Sequence, residues 1–94
     1  MNSSLSKKET KLVGSWIVKN GRVEGDKNTE RIERLVSNVL KYMAASEDGW
    51  ENLYIDFADN RLWELTFPKL WMHGGGPPQL RHISEIEAKQ KYKY

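Results

Sequence analysis

The chain has 94 residues and a mass of 11.0 kDa, room for one domain on one hydrophobic core and not for two. A hydrophobic share of 38% with four tryptophans excludes a wholly disordered chain, and the lack of cysteine excludes a disulfide framework and a thiolate metal site. The formal charge of +2 is uneven: residues 47–64 carry six acids against the single base Arg61, a local −5 that leaves +7 for the rest.

Residues 1–8 read as a flexible N-terminus and 9–94 as a single domain. The apolar run from Leu12 to Val18, with Val13, Trp16 and Ile17, predicts a strand. Asn20-Gly21 is the strongest short hairpin signal and predicts a return through Arg22-Val23-Glu24. Turn and capping residues from Gly25 to Thr29 then precede Ile32, Leu35, Val36, Val39, Leu40 and Met43, which recur on one helical face. That spacing predicts a helix from Asn28 or Thr29 to Ala45, broken by Ser46-Glu47-Asp48-Gly49.

An acidic hairpin follows. A three-residue loop, Ala58-Asp59-Asn60, would pair Phe57 with Arg61 and Ile55 with Trp63, and gather Leu53, Ile55, Phe57, Trp63, Leu65 and Phe67 on a core face. The opposite face would then present Trp50, Asn52, Tyr54, Asp56, Leu62, Glu64 and Thr66 to solvent. Rings among acids suit a protein-binding patch, because Trp and Tyr supply contact area at low rotamer cost and acids select a basic partner. The bland alternative is that another layer of the protein covers this face. Beyond Pro68 the chain enters a loop containing Trp71, His73 and Gly74-Gly75-Gly76-Pro77-Pro78. A short strand is predicted over 79–83, and Ser84-Glu85-Ile86-Glu87 is a capping box that opens a final helix toward Tyr92.

The familiar catalytic and cofactor patterns are missing. The glycine run is followed by two prolines without N–H groups, and it lacks the Lys-Ser/Thr pair of a phosphate-binding loop. His73 and His82 are the only histidines, and their spacing matches no standard metal-ligand pattern. No serine sits in a nucleophile-elbow pattern. Asp56 and Glu64 near Tyr54 are the nearest approach to paired acid/base carboxylates, but so small a chain offers little depth for the pocket that would tune them. The bases are scattered and often adjoin acids, while the aromatics cluster with acids, so nucleic acid is not the expected partner. No apolar run is long enough for a membrane span, and residues 1–8 lack the apolar segment of a secretory signal.

The ordered set Glu9-Thr10-Lys11-Leu12-Val13-Gly14-Ser15-Trp16, Arg31-Ile32, Gly49-Trp50-Glu51-Asn52-Leu53-Tyr54, Arg61-Leu62-Trp63-Glu64, Pro68 and His73-Gly74-Gly75-Gly76-Pro77-Pro78 resembles the immunity protein 27 family of bacterial polymorphic toxin systems. The resemblance implies an antidote that neutralises a cognate protein toxin, without fixing the toxin's activity. The residues and the resemblance together lead to one expectation. The fold is α+β, a small single domain whose mainly antiparallel sheet is packed by one amphipathic helix, with a short C-terminal helix. The protein is a cytoplasmic, non-enzymatic binder with no cofactor and no metal, a monomer or weak homodimer that engages neither nucleic acid nor membrane. The expected contact residues are Trp50, Tyr54, Asp56, Asp59, Arg61, Glu64, Trp71 and His73. The rivals are a general protein-interaction or subunit module without a toxin partner, and a small carboxylate-based hydrolase.

Overall fold

The structure is a computed structural model that describes residues 5–68 and 76–94. Among these residues an antiparallel five-stranded sheet runs in the order β1 (Lys11–Val13), β7 (Gln79–Ile83), β6 (Arg61–Thr66), β5 (Asn52–Asp56), β4 (Lys41–Ala45). A separate two-stranded hairpin pairs β2 (Trp16–Lys19) with β3 (Arg22–Gly25). Helix α1 (Lys27–Arg34) covers one face of the large sheet and α2 (Glu85–Lys91) the other. The architecture is therefore the expected α+β arrangement, with the sheet as the middle layer.

Local chemistry explains most of the elements. Asn20 and Gly21 both take positive φ, 54° and 77°, the conformation that a two-residue hairpin turn matched to strand twist requires. Asp26 caps α1 by accepting from the Thr29 N–H at 2.8 Å, and Ser84 caps α2 by accepting from the Glu87 N–H at 3.1 Å. The apolar run from Leu12 to Val18 does not form one strand. It divides at Gly14-Ser15, where the Gly14 N–H donates to the Pro78 carbonyl at 2.9 Å and the Ser15 N–H donates to Thr29 Oγ1 at 3.0 Å. These bonds send β1 into the large sheet and β2 into the small one.

The predicted long helix is also corrected. Helix α1 ends at Arg34, a π-helical turn spans Leu35–Val39 with Leu40 N–H donating to the Leu35 carbonyl at 2.7 Å, and Leu40 is already extended. Residues 41–45 become the edge strand, with Tyr42 opposite Tyr54. The ladder with β5, and the placement of Ala44 in the core beside Leu53, outweigh the helical spacing of this segment.

The hairpin register differs by one residue from the expected one. Asp56 pairs with Arg61, Ile55 with Leu62, Tyr54 with Trp63 and Leu53 with Glu64, which leaves a four-residue loop, 57–60. Asp56 sets this loop. Its carboxylate accepts from the Ala58 N–H at 2.9 Å, its carbonyl accepts from the Asn60 N–H at 2.7 Å, and Asn60 closes the turn at φ 61°. The slip exchanges the faces of one strand. Trp63 and Leu65 share a face with Tyr54 and pack with Leu12, Ile32, Leu35, Leu40 and Leu80 beneath α1. Leu53, Leu62 and Ile83 pack with Ala44, Ala88 and Tyr92 beneath α2. Phe57, expected in the core, is exposed in the loop.

Candidate functional site

The expected solvent-facing side of the acidic hairpin is not one surface: the slip divides it between the two sides of the sheet and buries Asp56, Leu62, Glu64 and Thr66. Glu64 is 1% exposed and sits on the α2 side of the sheet, while Asp56 is buried on the α1 side. The two carboxylates thus lie on opposite faces and cannot act on one substrate as an acid/base pair. Asp56 is used in its turn, as described above. Glu64 Oε1 accepts from Arg81 Nη2 at 2.9 Å, and Oε2 meets Lys91 Nζ at 2.7 Å and the Tyr92 hydroxyl at 2.7 Å. Burial pushes the Glu64 carboxyl up, but bonds from Lys91, Tyr92 and Arg81 outweigh it and leave it below the ordinary range. Burial and the bond to Glu64 push the Tyr92 phenol far up, so it stays a donor.

At the hairpin tip Asp59 and Arg61 are partly covered, while Phe57, Ala58 and Asn60 are exposed. Asp59 pairs with Arg61 at 2.6 Å, and the Arg61 guanidinium donates to the carbonyls of Glu9 and Ser6 at 2.7 Å each while lying 4.8 Å from the centre of the Trp63 ring. Arg61 therefore clasps the segment before β1, where Leu5 enters the core. Tyr54 is half-buried against the edge of Tyr42, ring centres 5.8 Å apart. Trp71 and His73 lie outside the described residues.

Trp50 is the expected contact residue that faces solvent, at 59% exposure. It stands on the loop between β4 and β5, which its own side chains hold in shape. The Asp48 carboxylate accepts from Ser46 Oγ at 2.6 Å and from the Trp50 N–H at 3.0 Å, Ser46 Oγ accepts from the Glu51 N–H at 3.1 Å, and Gly49 takes φ 78°. The Ser46 and Trp50 donors hold the Asp48 carboxyl below its usual range. Asp48 and Glu51 line a cleft together with the indole ring, and Glu47 is exposed on the same loop.

Trp50 lines two clefts. One, of about 420 Å³, is floored by Glu64 and walled by Asp48, Glu51, Arg81 and Lys91, with Lys91 also bonded to Glu51 at 2.6 Å. The other, of about 510 Å³, is mainly apolar and is lined by Trp16, Ile32, Val36, Leu65 and Phe67, with Glu33 at its rim. Sequence reasoning missed Arg81, Lys91 and Tyr92 because their role depends on Glu64 being buried. It also missed that Trp16 and Trp50, far apart in the chain, line one groove. Among the described residues no group of three or more acids or histidines is placed to hold a metal ion, and no helix is long and apolar enough to cross a membrane.

An exposed indole that lines two clefts, with acids among the lining of each, is suited to receiving the surface of another protein. No curated protein and no solved structure matches the chain. Residues 18–84 match the family described as immunity protein 27, and the chain belongs to that family.

Proposed function

We propose that the protein binds and neutralises a cognate bacterial toxin by direct protein–protein contact, with Trp50 at the centre of the contact surface. The observation that carries this reading is Trp50 itself: a large ring, mostly exposed, fixed on a loop held by Asp48 and Ser46 and flanked by acids. A pre-shaped aromatic loses little entropy on docking, and its acidic surround favours a basic toxin surface. Membership of an immunity family supports a toxin as the partner. Asp56 and Glu64 leave the contact set because they hold internal bonds, whereas Tyr54, Asp59 and Arg61 shape the sheet and tip behind it. The protein acts as a binder in the bacterial cytoplasm, a setting that a chain without cysteine suits.

The test is co-expression with the polypeptide encoded immediately upstream, scored by rescued growth and by co-purification. Trp50→Ala should weaken the complex by roughly 2–4 kcal/mol while leaving the thermal midpoint of the free protein unchanged. A variant that rescues growth and binds as tightly as the parent protein would remove Trp50 from the surface.

A further inference from the structure

The β2–β3 hairpin is exposed on both faces, and one of them is apolar at its outer end. Its register sets Val18 opposite Val23 and Trp16 opposite Gly25, so Trp16, Val18 and Val23 share a face, while Ile17, Lys19, Arg22 and Glu24 share the other. Val18 is 75% exposed and Val23 is 70% exposed. This apolar stripe does not end at the hairpin. Trp16 also lines the groove of about 510 Å³ that reaches Trp50, so the stripe and groove adjoin the candidate contact surface. The base of the hairpin is held in place: the Ser15 N–H donates to Thr29 Oγ1 at 3.0 Å, the Asp26 N–H donates to the Ser15 carbonyl at 2.9 Å, and Asn28 Nδ2 donates to the Val13 carbonyl at 3.3 Å.

We propose that this hairpin face and the groove beside it form a second part of the docking surface, taking an apolar side chain carried on a basic segment of the toxin. Charge selects that occupant. The walls of the two clefts that meet at Trp50 hold Glu33, Asp48, Glu51 and Glu64 against Arg81 and Lys91, a net −2, and Glu47 stands exposed on the same loop. Lys19 and Arg22 project from the other face of the hairpin, together with Glu24. Size favours a joint surface as well, since a stable interface engages roughly 20–30 residues a side, more than the Trp50 loop supplies. The inference rests on the toxin-binding reading and adds where, and with what chemistry, the toxin is held.

The experiment titrates the upstream-encoded toxin domain, inactivated by mutation, into the full chain and into two double variants. Val18→Thr with Val23→Thr keeps β-branching and volume but places hydroxyls on the apolar face. It should weaken binding by about tenfold or more at an unchanged thermal midpoint. Glu33→Lys with Glu47→Lys should also weaken binding and make it less sensitive to salt. If the parent protein binds and the threonine variant binds equally well, the hairpin is not part of the surface although the toxin reading stands. If the lysine variant binds as tightly or more tightly, the segment is not basic and the proposal fails. Self-association that the threonine variant abolishes while toxin affinity holds would assign the face to a second copy and overturn the proposal. No binding by the parent protein at all would remove the toxin reading and this inference together.

Discussion

At the scale of single residues, the informative side chains are charged groups held inside the fold. An unpaired buried carboxylate costs several kcal/mol, and Glu64 is tolerated because Arg81, Lys91 and Tyr92 supply three donors to its two oxygens. Glu9 gives a pH prediction. It pairs with Arg31 Nη1 at 2.5 Å, and that hydrogen bond, against the opposing effect of burial, lowers its carboxyl from the ordinary 4.5 to about 2. A folded value below the unfolded one means the contribution to stability is fully present above about 4.5 and is lost as pH falls toward about 2. Glu9→Gln should therefore lower the thermal midpoint near neutral pH, and the gap from the parent protein should close across that window. A gap that stays constant down to the acid limit would show that the pair contributes nothing through its charge.

At the scale of elements, close contacts decide where strands begin and end. Gly14 separates β1 from β2, and a Cβ there would fall on Thr29 Oγ1 and 2.8 Å from the Pro78 carbonyl oxygen. One of these neighbours is backbone and cannot rotate away. Gly14→Ala should therefore cost about 1–3 kcal/mol, read as a lowered midpoint in chemical denaturation, whereas an unchanged midpoint would show that the β1–β2 joint can shift freely. The hairpin turn at Asn20-Gly21 and both helix caps were legible because each depends on a few adjacent residues. The end of α1 was not, because residues 35–45 keep an apolar spacing that suits a helix and become a π-helical turn and a strand through pairing with β5. The loop at 57–60 was misjudged by one residue because hydrophobic pattern alone placed Phe57 inside, while the Asp56 side chain and carbonyl favoured the longer turn.

At the scale of the molecule, the sheet separates two small cores, and each needs its helix. Ending the chain at Ser84 would strip Ala88 and Tyr92 from Leu53, Leu62 and Ile83 and would deprive Glu64 of two of its three partners. Breaking a buried ion pair by removing one partner costs about 3–5 kcal/mol, against a total stability of about 5–15 kcal/mol for a domain. The shortened chain should lose cooperative unfolding and bind a hydrophobic dye in the absence of denaturant. A sharp transition at the parent midpoint would mean that the α2-side core is dispensable. The same layering explains the fate of the expected binding face. A sheet covered on both sides leaves its loops and its separate hairpin, rather than the faces of its strands, exposed to solvent.

The sequence by itself determined the α+β class, the caps, the Asn-Gly turn, the final strand and helix, and the family, since these depend on local chemistry or on ordered motifs. Trp50 was expected on an open strand face of the hairpin, whereas it is exposed on the loop that precedes β5. Only the tertiary structure decided which face of β6 is buried, because a one-residue slip reverses every side chain and Glu64 can go inside only when Arg81, Lys91 and Tyr92 arrive from elsewhere in the chain. It also decided that Trp16 and Trp50 share a groove, a proximity created by packing rather than by any spacing along the chain.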